Sequence, residues 1–291
     1  MQGGLKTMSM YKALTIAGSD TSGGAGIQAD IKTFQERGVY GMTALTVIVA
    51  QDPHNGWFHN VFPIDVKTLE AQLETVIAGI GVDAVKTGML GSIDIIEMAA
   101  GKIEKYGLKN LVVDPVMVCK GADEALHPET NECLRDVLVP KALVVTPNLF
   151  EASQLSGMGP IKTVEQMKEA AAKIQERGAK YVIVKGGGKL EHEAAVDVLY
   201  DGKNFEVLES ERIATTYTHG AGCTYSAAIA AELAKGKTAR EAIELAKAFI
   251  TEAIRHSFPL NQYVGPTNHA AYRLYGPGQH ENLQAEVSAT K

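Results

Sequence analysis

The chain alternates short apolar runs with longer segments in which apolar residues recur every three or four positions. The first pattern marks buried strands, and the second marks helices lying on a sheet. Lys12–Gly18 is a short apolar strand ending at glycine. Gly26–Gly38 is a helix with Ile27, Ile31 and Phe34 on one face and Gly38 as its C-cap. Met42–Ala50 is β-branched and apolar, a buried strand. Asp65–Gly79 reads as a helix with an Asp N-cap and a Gly C-cap. A strand and turn follow at "DAVKTGML", then a helix at Ser92–Gly107 with Ser92 as N-cap. "NLVVDPVM" is a strand stopping at Asp114-Pro115. "ETNECLRDVLVP" is a helix, and "ALVVTPN" a strand ending at Thr146-Pro147-Asn148. Thr163–Gly178 is a helix, and "KYVIVKGGG" a strand running into glycines. "AAVDVLYDGKNFEVLE" predicts a β-hairpin with Asp201-Gly202 in its turn. Two alanine-rich helices follow, near 221–235 and 238–256.

Strand and helix in alternation at this spacing predict right-handed crossovers and a mainly parallel sheet covered on both faces. The fold class is therefore α/β. No linker or fixed-period repeat interrupts the pattern. One domain is expected over residues 10–270, with 1–9 as an N-terminal extension and 276–291 as a loose polar tail.

Composition narrows the partners. The net charge of -6 and a pI near 5.8 argue against nucleic acid, which selects a basic face. No apolar run approaches the roughly 20 residues that span a bilayer, and the first residues lack the apolar centre of a signal peptide. Three cysteines do not suggest a disulfide framework. A cytoplasmic protein without membrane or nucleic-acid partners is expected.

Ligands of open α/β sheets bind beyond the carboxyl ends of the strands. The unusual residues fall at those ends: Gly18-Ser19-Asp20, Gln51, Lys86-Thr87-Gly88, Asp114-Pro115, Asn148 and Lys185 to Gly188. They gather along one rim.

Five stretches on or near this rim carry chemistry. In "AGSDTSGGAGIQAD" a strand, a glycine-rich turn and a helix bring backbone close to a flat ligand, with Ser19 or Asp20 on its polar edge. A tight turn without a ligand explains the same letters, and neither the dinucleotide nor the P-loop spacing is met. In "VTPNLFEA", Asn148 and Glu151 share one face of a first helical turn. They are oxygen donors for Mg²⁺ or a capping box. Lys185, before three glycines, is a phosphate contact beside free amides or a solvated loop lysine. Asp114 leads into a segment with Cys119 and Lys120 that is a candidate cover for the site; its carboxylate suits a metal-bound water. In "THGAGCTYSAAIAAEL", three small residues turn the chain and Cys223 opens a helix. The first turn of a helix carries partial positive charge, so the Cys223 pKa is expected to fall. The bland reading is a glycine-tightened turn. Cys133 sits at an apolar helix position and reads as core. The eight histidines show no zinc spacing.

Taken in order, "ALTIAGSDTSGGAGIQADIKTFQERGVYGMTALT", "VKTGML", "VVDPVM", "VVTPNLFEA", "VKGGG", "THGAGC" and "NQYVGP" resemble the ribokinase-like superfamily. More narrowly, the chain resembles the vitamin kinases that phosphorylate a hydroxymethyl group on a pyridine or pyrimidine. "MVCKG" and Trp57-Phe58-His59 are similar to the two-cysteine pyridoxal kinases of the hydroxymethylpyrimidine-kinase-like branch. The resemblance implies a three-layer αβα sandwich, ATP as phosphoryl donor, Mg²⁺ and a homodimer. It implies that Cys223 stands where sugar kinases carry a catalytic aspartate. The Gly220, Ala221, Gly222 and Cys223 amides would then stabilise the transferred phosphoryl group. It further implies that Cys223 adds to the pyridoxal aldehyde, with Cys119 as proton donor. The resemblance assigns the nucleotide to Asp114, Thr146, Asn148, Lys185, Gly186, Gly187, Thr218 and Gly220, and the metal to Asn148, Glu151 and Asp114. Ser19, Asp20, Gln51, His59, Gly88 and Met89 are the substrate positions. Gln51 departs from the pyridoxal-kinase pattern towards the hydroxymethylpyrimidine kinases, which implies a possible second substrate. A kinase confined to thiamin synthesis is the alternative; a sugar kinase or a non-catalytic binder fits the motifs less well.

Overall fold

The computed structural model describes residues 10–117 and 128–277. In chain order the elements are β1 (Lys12–Asp20), α1 (Gly26–Glu36), β2 (Tyr40–Asp52), β3 (Phe58–Pro63), α2 (Val66–Leu73), β4 (Ala84–Thr87) and α3 (Ile93–Lys105). Then come β5 (Leu111–Val113), α4 (Pro128–Cys133), β6 (Val144–Val145), α5 (Leu149–Ser156), α6 (Val164–Gln175) and β7 (Tyr181–Lys185). The chain continues with β8 (Ala195–Tyr200), β9 (Phe205–Ser210), α7 (Ala221–Ala234), α8 (Ala239–Arg255) and α9 (Ala271–Tyr275). Among the described residues the strands form one nine-stranded sheet in the order β3-β2-β1-β4-β5-β6-β7-β8-β9. The pairs from β2 to β7 are parallel, while β3, β8 and β9 add antiparallel edges. No helix among the described residues is long and apolar enough to cross a membrane.

The apolar runs are short because both faces of the central strands are covered. Along β5, Leu111 and Val113 enter one core while Val112 enters the other. Along β7, Val182 and Val184 face the first core and Ile183 the second. This is the two-residue alternation of a strand with helices above and below. The first core is completed by residues of α2, α3, α5 and α6. The second is completed by α1, α7 and α8. Residues 224–234 of α7 are all buried. Its alanines let α7 lie against the sheet, α1 and α8, which explains why its sequence shows no polar face.

Local signals hold where they were read. The Asp65 side chain accepts from the Thr68 N–H at 2.9 Å, and Ser92 caps α3. Gly38 follows α1 with φ 71°, the left-handed geometry of a helix stop. β3 and α9 were not expected. Phe58 and Phe62 of β3 are both exposed, so the strand has no buried stripe to mark it. The helix starting at Val66 does not stop at Gly79 but runs on as a π-helical turn over Glu74–Ile80, capped by Gly81.

Candidate active site

The carboxyl ends of β1, β4, β5, β6 and β7 open onto a cleft of about 280 Å³. It is lined by Ser19, Asp20, Gln51, His59, Gly88, Met89, Asp114, Asn148, Glu151, Lys185, Thr218 and Gly220–Cys223. Most of the expected rim is therefore brought together. Thr146 lies fully buried behind the cleft, and Gly186 and Gly187 are not among its lining residues. Cys119 lies outside the described residues.

One end of the cleft is built around Asp20. The register between β1 and β2 shifts between Ala17 and Ser19, which re-aims the end of β1. Asp20 Oδ1 accepts from Gln51 Nε2 at 2.6 Å and from Ser22 Oγ at 2.8 Å. Its Oδ2 lies 2.7 Å from His219 Nε2 and accepts from the Ala25 N–H at 2.8 Å. Burial acts to raise the Asp20 pKa, but His219, Ser22 and Gln51 outweigh it and hold the carboxyl well below the usual range. Both oxygens are thus engaged within the protein. Asp20 organises the glycine-rich turn and orients Gln51 and His219, while still lining the cleft beside Ser19. Gln28 Nε2 donates to Ser19 Oγ at 2.7 Å, leaving the Ser19 hydroxyl proton to point elsewhere. A carboxylate only accepts, so the Gln51 amide must turn Nε2 to Asp20 and offer its oxygen to the cleft. His59 is the cross-strand partner of Gln51 on β3. The unexpected hairpin is what brings these two expected residues side by side.

The other end is built around Asp114. Its Oδ1 accepts from Thr146 Oγ1 at 3.2 Å and lies 3.4 Å from Lys185 Nζ. Its Oδ2 accepts from Ser226 Oγ at 3.1 Å. Asn148 and Glu151 form the capping box that was the plain reading of their spacing. Asn148 Oδ1 accepts from the Glu151 N–H at 3.0 Å, and Glu151 Oε2 accepts from the Asn148 N–H at 2.8 Å. Both still line the cleft, so capping and ligand binding are not exclusive here. Burial pushes Glu151 up to about 8, with Asp114 adding to the rise while Lys185 and the Asn148 N–H oppose it. Burial acts to lower the Lys185 pKa, but Asp114 and Glu151 outweigh it, so Lys185 stays charged. The amide of Gly186 is not the free phosphate donor expected. It donates to the Val196 carbonyl at 2.9 Å and lies 3.3 Å from Asp197 Oδ1.

Between these ends stands the start of α7. Gly220 caps it with φ 76°, and a Cβ there would collide with the Gly24 carbonyl. The turn thus requires glycine twice over, for conformation and for close packing against the glycine-rich turn. The Ala221 amide is committed to the Thr218 carbonyl at 3.1 Å. The helical ladder begins with Thr224 N–H donating to the Gly220 carbonyl at 2.9 Å. The Gly222 and Cys223 amides precede it, in the turn that suits an anion. The expected fall in the Cys223 pKa is overturned. Burial pushes the thiol up to about 11, although Lys86 and the Gly26 N–H pull the other way. Desolvation of the thiolate among the packed residues around it outweighs the field of one helix end.

Three residues of the site carried no role in the sequence. His219 is one letter before "GAGC", and a histidine fixed in a glycine turn was its available signal. Ser226 lies one helical turn after Gly222, on the same face. Lys86 was placed on the rim, and a lysine inside an apolar strand is itself a signal, since a buried cation needs a partner. Cys133 is half-buried against the first core, as expected.

Residues 20–268 match the family described as phosphomethylpyrimidine kinase. The chain is 69% identical over 267 residues to a pyridoxine kinase of Bacillus subtilis, covering 92% of this chain and 98% of that one. It is 45% identical over 266 residues to a hydroxymethylpyrimidine/phosphomethylpyrimidine kinase of the same organism, covering 91% and 97%. The crystal structure of an ADP complex of Bacillus subtilis pyridoxal kinase superposes with a TM-score of 0.90 at 69% identity, covering 91% of this chain and 100% of that one. Pyridoxal kinase from Staphylococcus aureus, in complex with AMP-PCP and pyridoxal, superposes with a TM-score of 0.87 at 48% identity, covering 92% and 96%. The chain belongs to the phosphomethylpyrimidine kinase family, and it is a kinase with the ribokinase-like fold.

Proposed function

We propose that the enzyme transfers the γ-phosphoryl group of ATP to the 5′-hydroxymethyl group of pyridoxal, pyridoxine or pyridoxamine. One observation carries this reading. A single cleft holds a ring-reading pair, Gln51 and His59, the Cys223 thiol at a helix start, and the Asp114–Lys185 pair. The vitamin's hydroxyl would lie at Cys223 and the nucleotide's phosphates between the α7 turn and Lys185. The hydroxyl oxygen attacks the γ-phosphorus, its proton passes to the Cys223 thiolate, and the bond from the γ-phosphorus to ADP breaks. The Gly222 and Cys223 amides and Lys185 receive the charge that builds on the phosphoryl oxygens. For pyridoxal, the Cys223 sulfur also adds reversibly to the aldehyde carbon as the C=O π bond opens; Cys119 gives its proton to the carbonyl oxygen and receives the one that Cys223 loses, and only the released thiolate serves as the base.

The donor set fits Mg²⁺. Asp114, Glu151 and Asn148 offer hard oxygens in one cleft. No group of three acidic, histidine or cysteine residues is gathered as a metal cage among the described residues. Mg²⁺ keeps several waters and takes substrate phosphates as ligands, so it needs few protein oxygens. When bound, Mg²⁺ neutralises phosphate charge.

Gln51 supports a second acceptor. Its amide oxygen, fixed by Asp20, is placed to accept from an amino group on a pyrimidine. Hydroxymethylpyrimidine is therefore proposed as an additional substrate. ADP release with Mg-ATP, measured on pyridoxal, pyridoxine, hydroxymethylpyrimidine and its monophosphate, tests the reading. Turnover of the pyridines without the monophosphate supports it. Preference for the monophosphate places the enzyme in thiamin synthesis instead. A homodimer in the cytoplasm is proposed with it: the exposed Phe58 and Phe62 on edge strand β3 offer a face for a second copy, and the Cys133 and Cys223 thiols are unpaired.

A further inference from the structure

Lys86 and Asp30 form an ion pair with both side chains fully buried. Nζ lies 2.8 Å from Oδ2. Thr15 Oγ1 donates to the same oxygen at 2.6 Å, while Asp30 Oδ1 has no hydrogen-bond partner among the described residues. Apolar side chains of the same volume often hold a core as well as a buried ion pair does. Stability alone therefore does not account for two charges at this place.

Their position relative to the cleft does. Lys86 comes from β4 and lines the cleft together with Cys223. Helix α7, which carries Cys223, packs on β4 and on α1, which carries Asp30. A Cβ at Gly88 would stand 2.9 Å from Lys86 Nζ, so the glycine leaves room for the buried ammonium at the cleft wall. Other titratable groups lining the cleft with the thiol are His59 of β3, Asp114 beyond β5, Glu151 of α5, Lys185 at the end of β7, whose Nζ would stand 3.4 Å from a Cβ at Gly222, and the Asp20–His219 pair at the end of β1. The Gly26 N–H, at the start of α1, favours the ionised sulfur. Lys86 pulls the thiol's ionisation down, and Asp30 and Asp114 push it up.

We propose that the Lys86–Asp30 pair is a positioning device for Cys223: the Lys86 ammonium, held by Asp30, which Thr15 in turn fixes, is the counter-charge of the Cys223 thiolate when it takes the substrate proton. The proposal rests on the proton-acceptor role given to Cys223 above. Asp30 fixes the ammonium in place, and Asp114 and the Cys223 thiolate act with it to keep the ammonium charged against desolvation. Asp30 also offsets part of the ammonium's field, so removing each partner has opposite effects.

Alkylation of Cys223 by iodoacetamide tests this. The thiolate sulfur displaces iodide, so the rate follows the thiolate fraction. The rate is read at pH 8 on the Cys223 peptide by mass spectrometry, which separates it from Cys119 and Cys133. Asp30→Asn leaves the cation without its anion, and alkylation should accelerate about tenfold, one unit of thiol pKa. Lys86→Met alone strands a buried carboxylate, so it is made with Asp30→Asn; this double variant should alkylate at least about threefold more slowly than wild type, half a unit. Thermal unfolding checks that both variants fold. Rates within about twofold of wild type for both, or changes of the same sign, overturn the proposal. If reactivity moves as stated but Cys223→Ala keeps full turnover, the proton-acceptor role fails and the counter-charge stands. If Cys223→Ala abolishes turnover and reactivity ignores both variants, the counter-charge fails and the role stands.

Discussion

His219 Nε2 lies 2.7 Å from Asp20 Oδ2, across 199 residues of chain. The contact joins the glycine-rich turn after β1 to the turn that starts α7, so the Asp20 end of the cleft and the start of α7 share one anchor. His219→Ala leaves a buried carboxylate short of a partner. Stability should fall by about 1–3 kcal/mol, and turnover should fall with it as the α7 turn loosens. The sign with pH follows from Asp20. Its native pKa is depressed below the ordinary value of 3.8. Its contribution is therefore complete above that value and is lost as pH falls through the native one. Denaturant midpoints of wild type and Asp20→Asn should lie well apart at pH 7 and converge as the medium is acidified below pH 4. A constant gap would mean that Asp20 acts through packing and not through charge.

Gly220→Ala tests the anion turn. Its φ of 76° alone disfavours any side chain, at about 1–3 kcal/mol, and the added methyl meets the Gly24 carbonyl. Relief would require the two glycine turns to separate. Melting temperature should drop, and ADP formation should fall at least about a hundredfold, the scale of losing an oxyanion donor. Full activity in a destabilised variant would place phosphoryl stabilisation elsewhere.

Much of this arrangement was legible in the sequence because its causes are local. Caps at Asp65 and Ser92, the glycine stop at Gly38, and the polar residues at strand ends each follow from neighbours in the chain. What was missed depends on partners far away. Strand β3 is defined by pairing with β2 and carries little apolar signal of its own. His219 acquires its role from Asp20, and Ser226 from Asp114. The Cys223 ionisation was misjudged for the same reason. The helix start is visible in "GAGC", but the burial that opposes it is made by the whole fold.

Gln51→Met separates the two acceptor classes. The Gln51 amide gives its N–H to Asp20 at 2.6 Å, so its oxygen is what a ring donor would meet. A site built to bond an amino group loses about 1–3 kcal/mol when that acceptor goes. The kcat/KM for hydroxymethylpyrimidine should fall roughly ten- to a hundredfold, while pyridoxine, lacking the amino group, changes by less than about fivefold. An equal loss on both substrates would show that Gln51 serves only to hold Asp20.

Cys223 makes the most demanding prediction. A proton acceptor must be ionised, yet burial holds this thiol up at about 11. The thiolate fraction therefore rises about tenfold per pH unit through the neutral range. With pyridoxine, which has no aldehyde to capture the sulfur, kcat/KM should climb with slope near one from pH 6 to pH 9 without a plateau. Cys223→Ala should flatten that rise and lower the rate about a hundredfold or more. Cys223→Asp restores a base that is ionised at neutral pH, so its profile should be level above pH 6 even if its rate is modest. A wild-type plateau below pH 8 would identify a more acidic base, and a Cys223→Ala enzyme that kept the wild-type slope would assign the proton to another group in the cleft.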